Sequence, residues 1–430
     1  MKNIFYLRNI KKTRAISLLI ILASLLSQKS WANDPPELLF GPEFTFSSIK
    51  DNWKKEEALM DYLNYLEKKL IEEAPEGRKF SHPPGGPKRI FISPDGWSFN
   101  VTTDLGVIEV KMPPMTAEDY MKYESDIQKA IFDSAYNVGM IPLLFLGGGH
   151  ISIGLDYFKN DLLLLRNFIV DFINHNELSM GILNYDTNNA LPLWLFPEHQ
   201  IQKTQQFLNT IDPLIANNQL APSLIVLPHE ERELNIPIQH MDPTEKRMYV
   251  RLLYPLKAAL TNGPRDAFCK PWDTEMRGKR VAINLKIESN HHLHEKRIEI
   301  RSIRPQYNMR DFILLITLLK KRIEYLKNIS KPIPLKINVP LLKSTTYSPR
   351  KYLLRPPIPP QKALAAFYQY LKETGLQWEN YRHFVWPKWQ FNGQLEKFEK
   401  ELERKKRKLR RLKSNCSKFL KPKTRFIKRS

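Results

Sequence analysis

Cysteine is almost missing from this chain: only Cys269 and Cys416 occur among 430 residues. At most one bridge can form, so a disulfide-scaffolded fold is excluded, and neither residue has the paired spacing of a metal or redox motif. Glycine is scarce too, 16 residues against 32 prolines, and the sequence carries no internal period, which excludes a repeat solenoid. After residue 32 no apolar run is long enough to span a bilayer. Acidic side chains are in deficit, 45 against 67 Lys and Arg, but the deficit is local. The first 32 residues hold six basic side chains and no acidic one, and Gln394 to Ser430 hold sixteen basic and four acidic. Only +4 of the net +22 therefore belongs to everything between. A body this close to neutral is not a general polyanion binder. With 42% hydrophobic residues it can fill one large core or two modest ones.

What is present at the N-terminus has three regions in order. Lys2, Arg8, Lys11, Lys12 and Arg14 precede an uncharged apolar run from Ala15 to Leu26, and Ser30-Trp31-Ala32 follows. A dozen apolar residues match the middle of a secretory signal peptide with a small-x-small cleavage site after Ala32, an uncleaved membrane anchor being the alternative. The expectation is an exported protein, periplasmic or secreted, or delivered to a host cell.

Residues 33–330 read as the main domain. Leu38 to Phe46, Arg89 to Ser93, Trp97 to Val101, Val107 to Lys111, Pro142 to Phe145, Ile151 to Leu155, Arg280 to Ile287 and Arg297 to Ile303 have strand character. Asp51 to Glu73, a long helix capped by Thr116, Asp161 to His175, Glu198 to Ile211 and Met309 to Lys327 have helical spacing. Leu220 to Leu227 and Met248 to Leu256 are ambiguous. Asp95-Gly96 marks a tight turn. The strands come mostly as hairpin-like neighbours, which predicts an α+β fold with an antiparallel sheet and flanking helices. Residues 331–393 form a proline-rich connection followed by a helix, Lys362 to Thr374, and an aromatic cluster packing on the body. Residues 394–430 form a basic helix and tail.

Four strands each place an acid or imidazole within an apolar run: Glu43, Glu109, His150 and Glu299. A lone carboxylate between β-formers belongs on the solvent face of a sheet. Four together, with glycines just before three of them, make an oxygen- and nitrogen-lined site for Mg²⁺ or Mn²⁺.

The ordered elements are Gly41-Pro42-Glu43, Asp104 before Gly106-Val107-Ile108-Glu109-Val110-Lys111-Met112-Pro113-Pro114, Gly148-Gly149-His150-Ile151-Ser152-Ile153, Asn284-Leu285, and Ile298-Glu299-Ile300-Arg301. In this order they resemble the glutamine-synthetase-fold ligases, and look most like the amidoligase and glutamate–cysteine ligase branch. The resemblance covers roughly Leu38 to Leu326. It implies a curved antiparallel sheet of glutamine-synthetase catalytic type, with metals bridging ATP phosphates and an amide or peptide bond made through an acyl-phosphate. Its substrates would be ATP, a carboxylate and an amine, on a small molecule or a protein side chain. It also implies that Glu43, Glu109, His150 and Glu299 ligate metal, that Arg301 neutralises phosphate, and that Asp104 and Lys286 serve catalysis and nucleotide binding. Asp95 competes with Asp104 for its place and is equally a turn residue. Lys111 is also within reach of phosphate.

One position departs from the family: Thr45 stands where a second acid follows the first, and a hydroxyl brings no charge to a dication. The alternative function is therefore a catalytically degenerate binding protein on the same fold. His291, His292, His294 and Glu295 fall in an expected hairpin loop and read as solvated. In the tail, Leu395, Phe398, Leu402, Leu409 and Leu412 follow a 3-4 spacing interrupted by Lys405, and an extended basic arm is expected beyond Asn415. A solvated helix, an anionic membrane surface and nucleic acid are the three readings of this segment.

Overall fold

The computed structural model describes residues 36–48, 64, 79–81, 89–93, 95–104, 107–142, 148–175, 178, 198–220, 242–253, 255–257, 282–286, 296–336, 359–385, 390 and 392–419. The chain divides into two compact units, Met1–Glu37 and Leu38–Ser430. The signal segment, most of the Asp51 to Glu73 helix and the histidine-bearing loop lie outside the described residues, as does the stretch 143–147.

The second unit is α+β, built on one antiparallel, unclosed sheet. Its strands are β1 (Phe40–Ser48), β2 (Lys79–Ser81), β3 (Arg89–Ile92), β4 (Ser98–Asp104), β5 (Val107–Lys111), β6 (Met140–Ile141), β7 (His150–Gly154), β8 (Ile283–Lys286) and β9 (Arg297–Ile300). The spatial order is β2-β3-β4-β5-β1-β7-β9-β8, with β6 pairing the end of β1. The β3–β4 hairpin turns through Gly96 at φ +87°, a conformation that favours glycine. Strand β6 ends at Ile141; of the strand expected at Pro142 to Phe145 only Pro142 is described, outside any strand, and the rest lies outside the described residues. The ambiguous run at Met248 is helical, Arg247–Leu253 forming π-type turns.

Helices cover one face of the sheet. They include α1 (Ala117–Lys122), α2 (Leu162–Asn174), α3 (Glu198–Ala216), α4 (Met309–Leu326), α5 (Pro360–Glu373) and α6 (Gln394–Phe419). The long helix expected after Thr116 is broken. Thr116 caps α1, and then come Glu124–Ile127, a π-helical turn Gln128–Asp133 and Ser134–Asn137. Phe44 meets Phe132 at 4.9 Å and Phe312 of α4 at 5.4 Å, while Tyr120 meets Phe312 at 4.8 Å. Phe40, Phe46, Val110, Ile151, Ile153, Ile298 and Ile300 complete this buried side.

The middle of the sheet carries a bulge. Phe40 bridges Met115, but from Glu43 onward the register shifts by one, to Glu43 opposite Lys111. Pro42 and Pro113 meet where the shift occurs, and neither has an N–H to give the ladder. The buried Tyr120 hydroxyl fills the gap, 3.1 Å from the Pro113 carbonyl and 3.0 Å from that of Phe40. A side chain from α1 thus serves the Pro113 carbonyl beside the bulge, while the Phe40 carbonyl also accepts from the Met115 N–H at 3.0 Å.

Candidate metal centre

Alternation along each strand sends one set of side chains to the helices and the other to the opposite face. On that opposite face Lys111, Glu43 and His150 stand side by side on β5, β1 and β7. One step along, Thr45 faces Glu109, which faces Thr102 of β4. In the other direction, Ser152, Glu299 and Asn284 line up across β7, β9 and β8. The sequence motifs are thus neighbouring strands of one sheet.

Glu43, His150 and Glu299 each offer a ligand atom, and these atoms lie within 4.8 Å of one another. His150 Nδ1 is 3.0 Å from Glu43 Oε1. Glu299, only 1% exposed, accepts from Arg301 Nη1 at 2.9 Å and Asn284 Nδ2 at 3.4 Å, and also from Lys286. Lys111 Nζ spans Glu109 at 2.6 Å and Glu43 at 3.5 Å.

Electrostatics follows this layout. Burial pushes the Glu43 carboxyl up, but the His150 contact and the charges of His150 and Lys111 overcome it, and the group sits well below the usual range. Glu109 goes the other way: burial and the neighbouring Glu43 charge push its carboxyl above the usual range, against the pull of Lys111. Burial also raises Glu299, yet Lys286 and Arg301 bring it down to about 2. Lys286 itself is lowered, burial and the Arg297 charge outweighing the pull of Glu299.

Two carboxylates and an imidazole within this spacing are a suitable donor set for a dication of the Mg²⁺ or Mn²⁺ class. Glu109 is not part of the trio; it stands opposite Thr45. Thr45 is engaged elsewhere, its hydroxyl donating to the Gly148 carbonyl at 3.1 Å. That bond ties β1 to the start of β7 and so helps to place His150. The two glycines before His150 serve space rather than turn geometry. A Cβ on Gly148 would meet the His150 ring at 2.6 Å, and one on Gly149 would meet Gln306 Nε2 at 2.1 Å and the Arg304 carbonyl at 2.4 Å.

Asp104 ends β4 opposite Val107, two residues from Thr102, and no contact joins it to the trio among the described residues. Asp95 is an exposed turn residue whose backbone N–H donates to Ser93 Oγ at 3.2 Å, and it is not among the trio. Gln306 escaped the sequence reading. It donates to the carbonyls of Gly149 at 3.2 Å and Arg304 at 2.8 Å from an irregular segment without periodicity. No protein-family model matches this chain, and a search of curated proteins returns no significant match.

Proposed function

We propose that this chain is a divalent-metal- and ATP-dependent carboxylate–amine ligase on a sheet of glutamine-synthetase type, similar to the amidoligases. The observation that carries the proposal is the convergence of Glu43, His150 and Glu299 from three strands within 4.8 Å. These three residues would hold the metal, which when bound neutralises ATP phosphates so that a carboxylate can be activated as an acyl-phosphate and captured by an amine. The chain's own cations complete the surroundings. Arg301 brings a planar fork suited to phosphate oxygens, and Lys286 and Lys111 bring point charges to the same face. Asp104 enters this scheme through the resemblance alone. Export through residues 1–32 belongs to the proposal, and with it delivery to an ATP-containing host compartment.

Calorimetric titration with Mn²⁺ and then ATP tests it, together with release of ADP in the presence of amino-acid mixtures. The parent protein should take up both ligands, and Glu299→Gln should weaken Mn²⁺ binding by about tenfold or more. A parent that takes up neither Mn²⁺ nor ATP would overturn the ligase reading.

A second reading is a binding protein that has lost catalysis on the same fold. It is favoured by the way Lys111, Lys286 and Arg301 already pair with Glu43, Glu109 and Glu299, with Thr45 in place of an acid. It predicts that Mn²⁺ fails to bind while partner binding survives Glu299→Gln.

A further inference from the structure

Helix α6 has 26 residues and α5 beside it has 14. They start together, since Gln361 Nε2 donates to the Gln394 carbonyl at 2.8 Å, and one turn on Phe398 meets Tyr368 at 6.2 Å and Trp378 at 5.4 Å. At 1.5 Å per residue, α6 is longer than α5 by about 18 Å. Its first half is bound to the body: Leu395 and Phe398 are buried, and Glu399 accepts from Trp378 Nε1 and Arg382 Nη2, each at 3.0 Å. Its acids are confined to this half.

The second half has another composition. The 3-4 spacing that buries Leu395 and Phe398 continues through Leu409, Leu412, Cys416 and Phe419, so these positions fall on one line of the helix. The helix persists through Phe419 instead of stopping at Asn415 as the sequence reading expected. Around that line come Arg404, Arg407, Lys408, Arg410, Arg411, Lys413 and Lys418 with no acid among them. Arg407, Lys408 and Arg410 are exposed and have no salt bridge among the described residues, whereas Lys400, Lys405 and Lys406 are paired with Glu396, Glu401 and Glu403.

We propose that the second half of α6, from Arg404 to Phe419, docks on an anionic lipid surface, with the Leu409, Leu412, Cys416 and Phe419 line entering the headgroup boundary. An apolar line flanked by cations fits such a surface on both counts, burial of apolar area and charge. Two other occupants fit less well. A second copy of the helix would place Lys405 in a core position and set Lys408 and Lys413 against like charges. A nucleic acid would use the cations but leaves the apolar line without a role. The proposal is independent of the chemistry at Glu43, His150 and Glu299.

The full chain, free of its first 32 residues, is co-sedimented with vesicles of phosphatidylcholine alone or mixed with phosphatidylglycerol. Binding is expected only to the mixed vesicles. Leu409→Gln with Leu412→Gln, and separately Arg407→Glu with Lys408→Glu, should each weaken it by about tenfold. Circular dichroism confirms that both variants keep parental helix content, and a milder Leu412→Ser variant serves if either does not. Equal binding to both vesicle types, parental binding by the leucine variants, or capture of duplex DNA without vesicle binding would each overturn the proposal. So would a concentration-dependent dimer that fails to bind vesicles.

Discussion

A methyl group at Gly149 would lie 2.4 Å from the Arg304 carbonyl as well as 2.1 Å from Gln306. A side-chain amide can turn away, but the carbonyl is fixed by the backbone. Gly149→Ala is therefore expected to cost about 1–3 kcal/mol in urea denaturation, as overpacking does. Gly148→Ala is expected to differ in kind, because its new methyl meets only the His150 ring, which can swing. It should retain most of the stability and lose Mn²⁺ affinity in calorimetry. The shared sheet face of Glu43, His150 and Glu299 was legible in the sequence because each is a polar residue at the right phase of a short apolar run, and Glu109 lies on that face but outside the trio. The roles of Thr45 and Gln306 were not, because they depend on partners 103 and 157 residues away.

Helices α2, α4 and α5 are joined through one guanidinium. Arg322 donates to Asp171 through Nε at 2.8 Å and Nη2 at 2.6 Å, and to Glu373 through Nη1 at 2.6 Å, with the Tyr370 ring 4.2 Å away. Burial pushes the Asp171 carboxyl up, but bonds to Arg322 and His175 and their charges overcome this, so its folded pKa is depressed. A depressed acid contributes stability that is fully present above its unfolded value, about 4, and is lost as pH falls through the folded value. Urea midpoints measured against pH should fall on the acid side of about 4. Asp171→Asn should be less stable at neutral pH and show a shallower fall, and an unchanged slope would remove Asp171 from this role. Amphipathic spacing made α2, α4 and α5 readable before the structure, including their ends to within two residues. The breaks at Tyr123 and Gln128 were hidden, because Tyr120, Tyr123, Ile127 and Ile131 keep a 3-4 spacing through them, which reads as one uninterrupted helix.

For the whole molecule, the charge map separates two kinds of surface. The near-neutral body places Glu43, Glu109, Glu299, Lys111, Lys286 and Arg301 on one face of a sheet, while α6 leaves the body as a cationic helix. Among the contacts that hold α6 to the body is the aromatic one of Phe398 with Tyr368 and Trp378. Phe398→Ala should cost about 3 kcal/mol and detach α6, giving faster amide exchange over its first turns. Exchange unchanged there would mean that other contacts suffice. The α+β class and the β3–β4 and β8–β9 pairings were visible in the sequence because these antiparallel neighbours follow one another closely. The order β5-β1-β7-β9 was not, since β1 pairs with strands far along the chain, and only the motif resemblance anticipated that these strands meet.

Fold and site depend on one alternation, with Phe44 and Phe46 turned toward the helices and Glu43 and Thr45 turned away. Losing a single residue from β1 would exchange the two sets, burying a carboxylate among phenylalanines and exposing rings beside His150. The same holds for β5, β7 and β9. Substitutions can thus alter the chemistry one residue at a time, but a deletion inside these strands cannot spare either the site or the core. Insertions and deletions should therefore be tolerated in the loops and ends but not within these four strands.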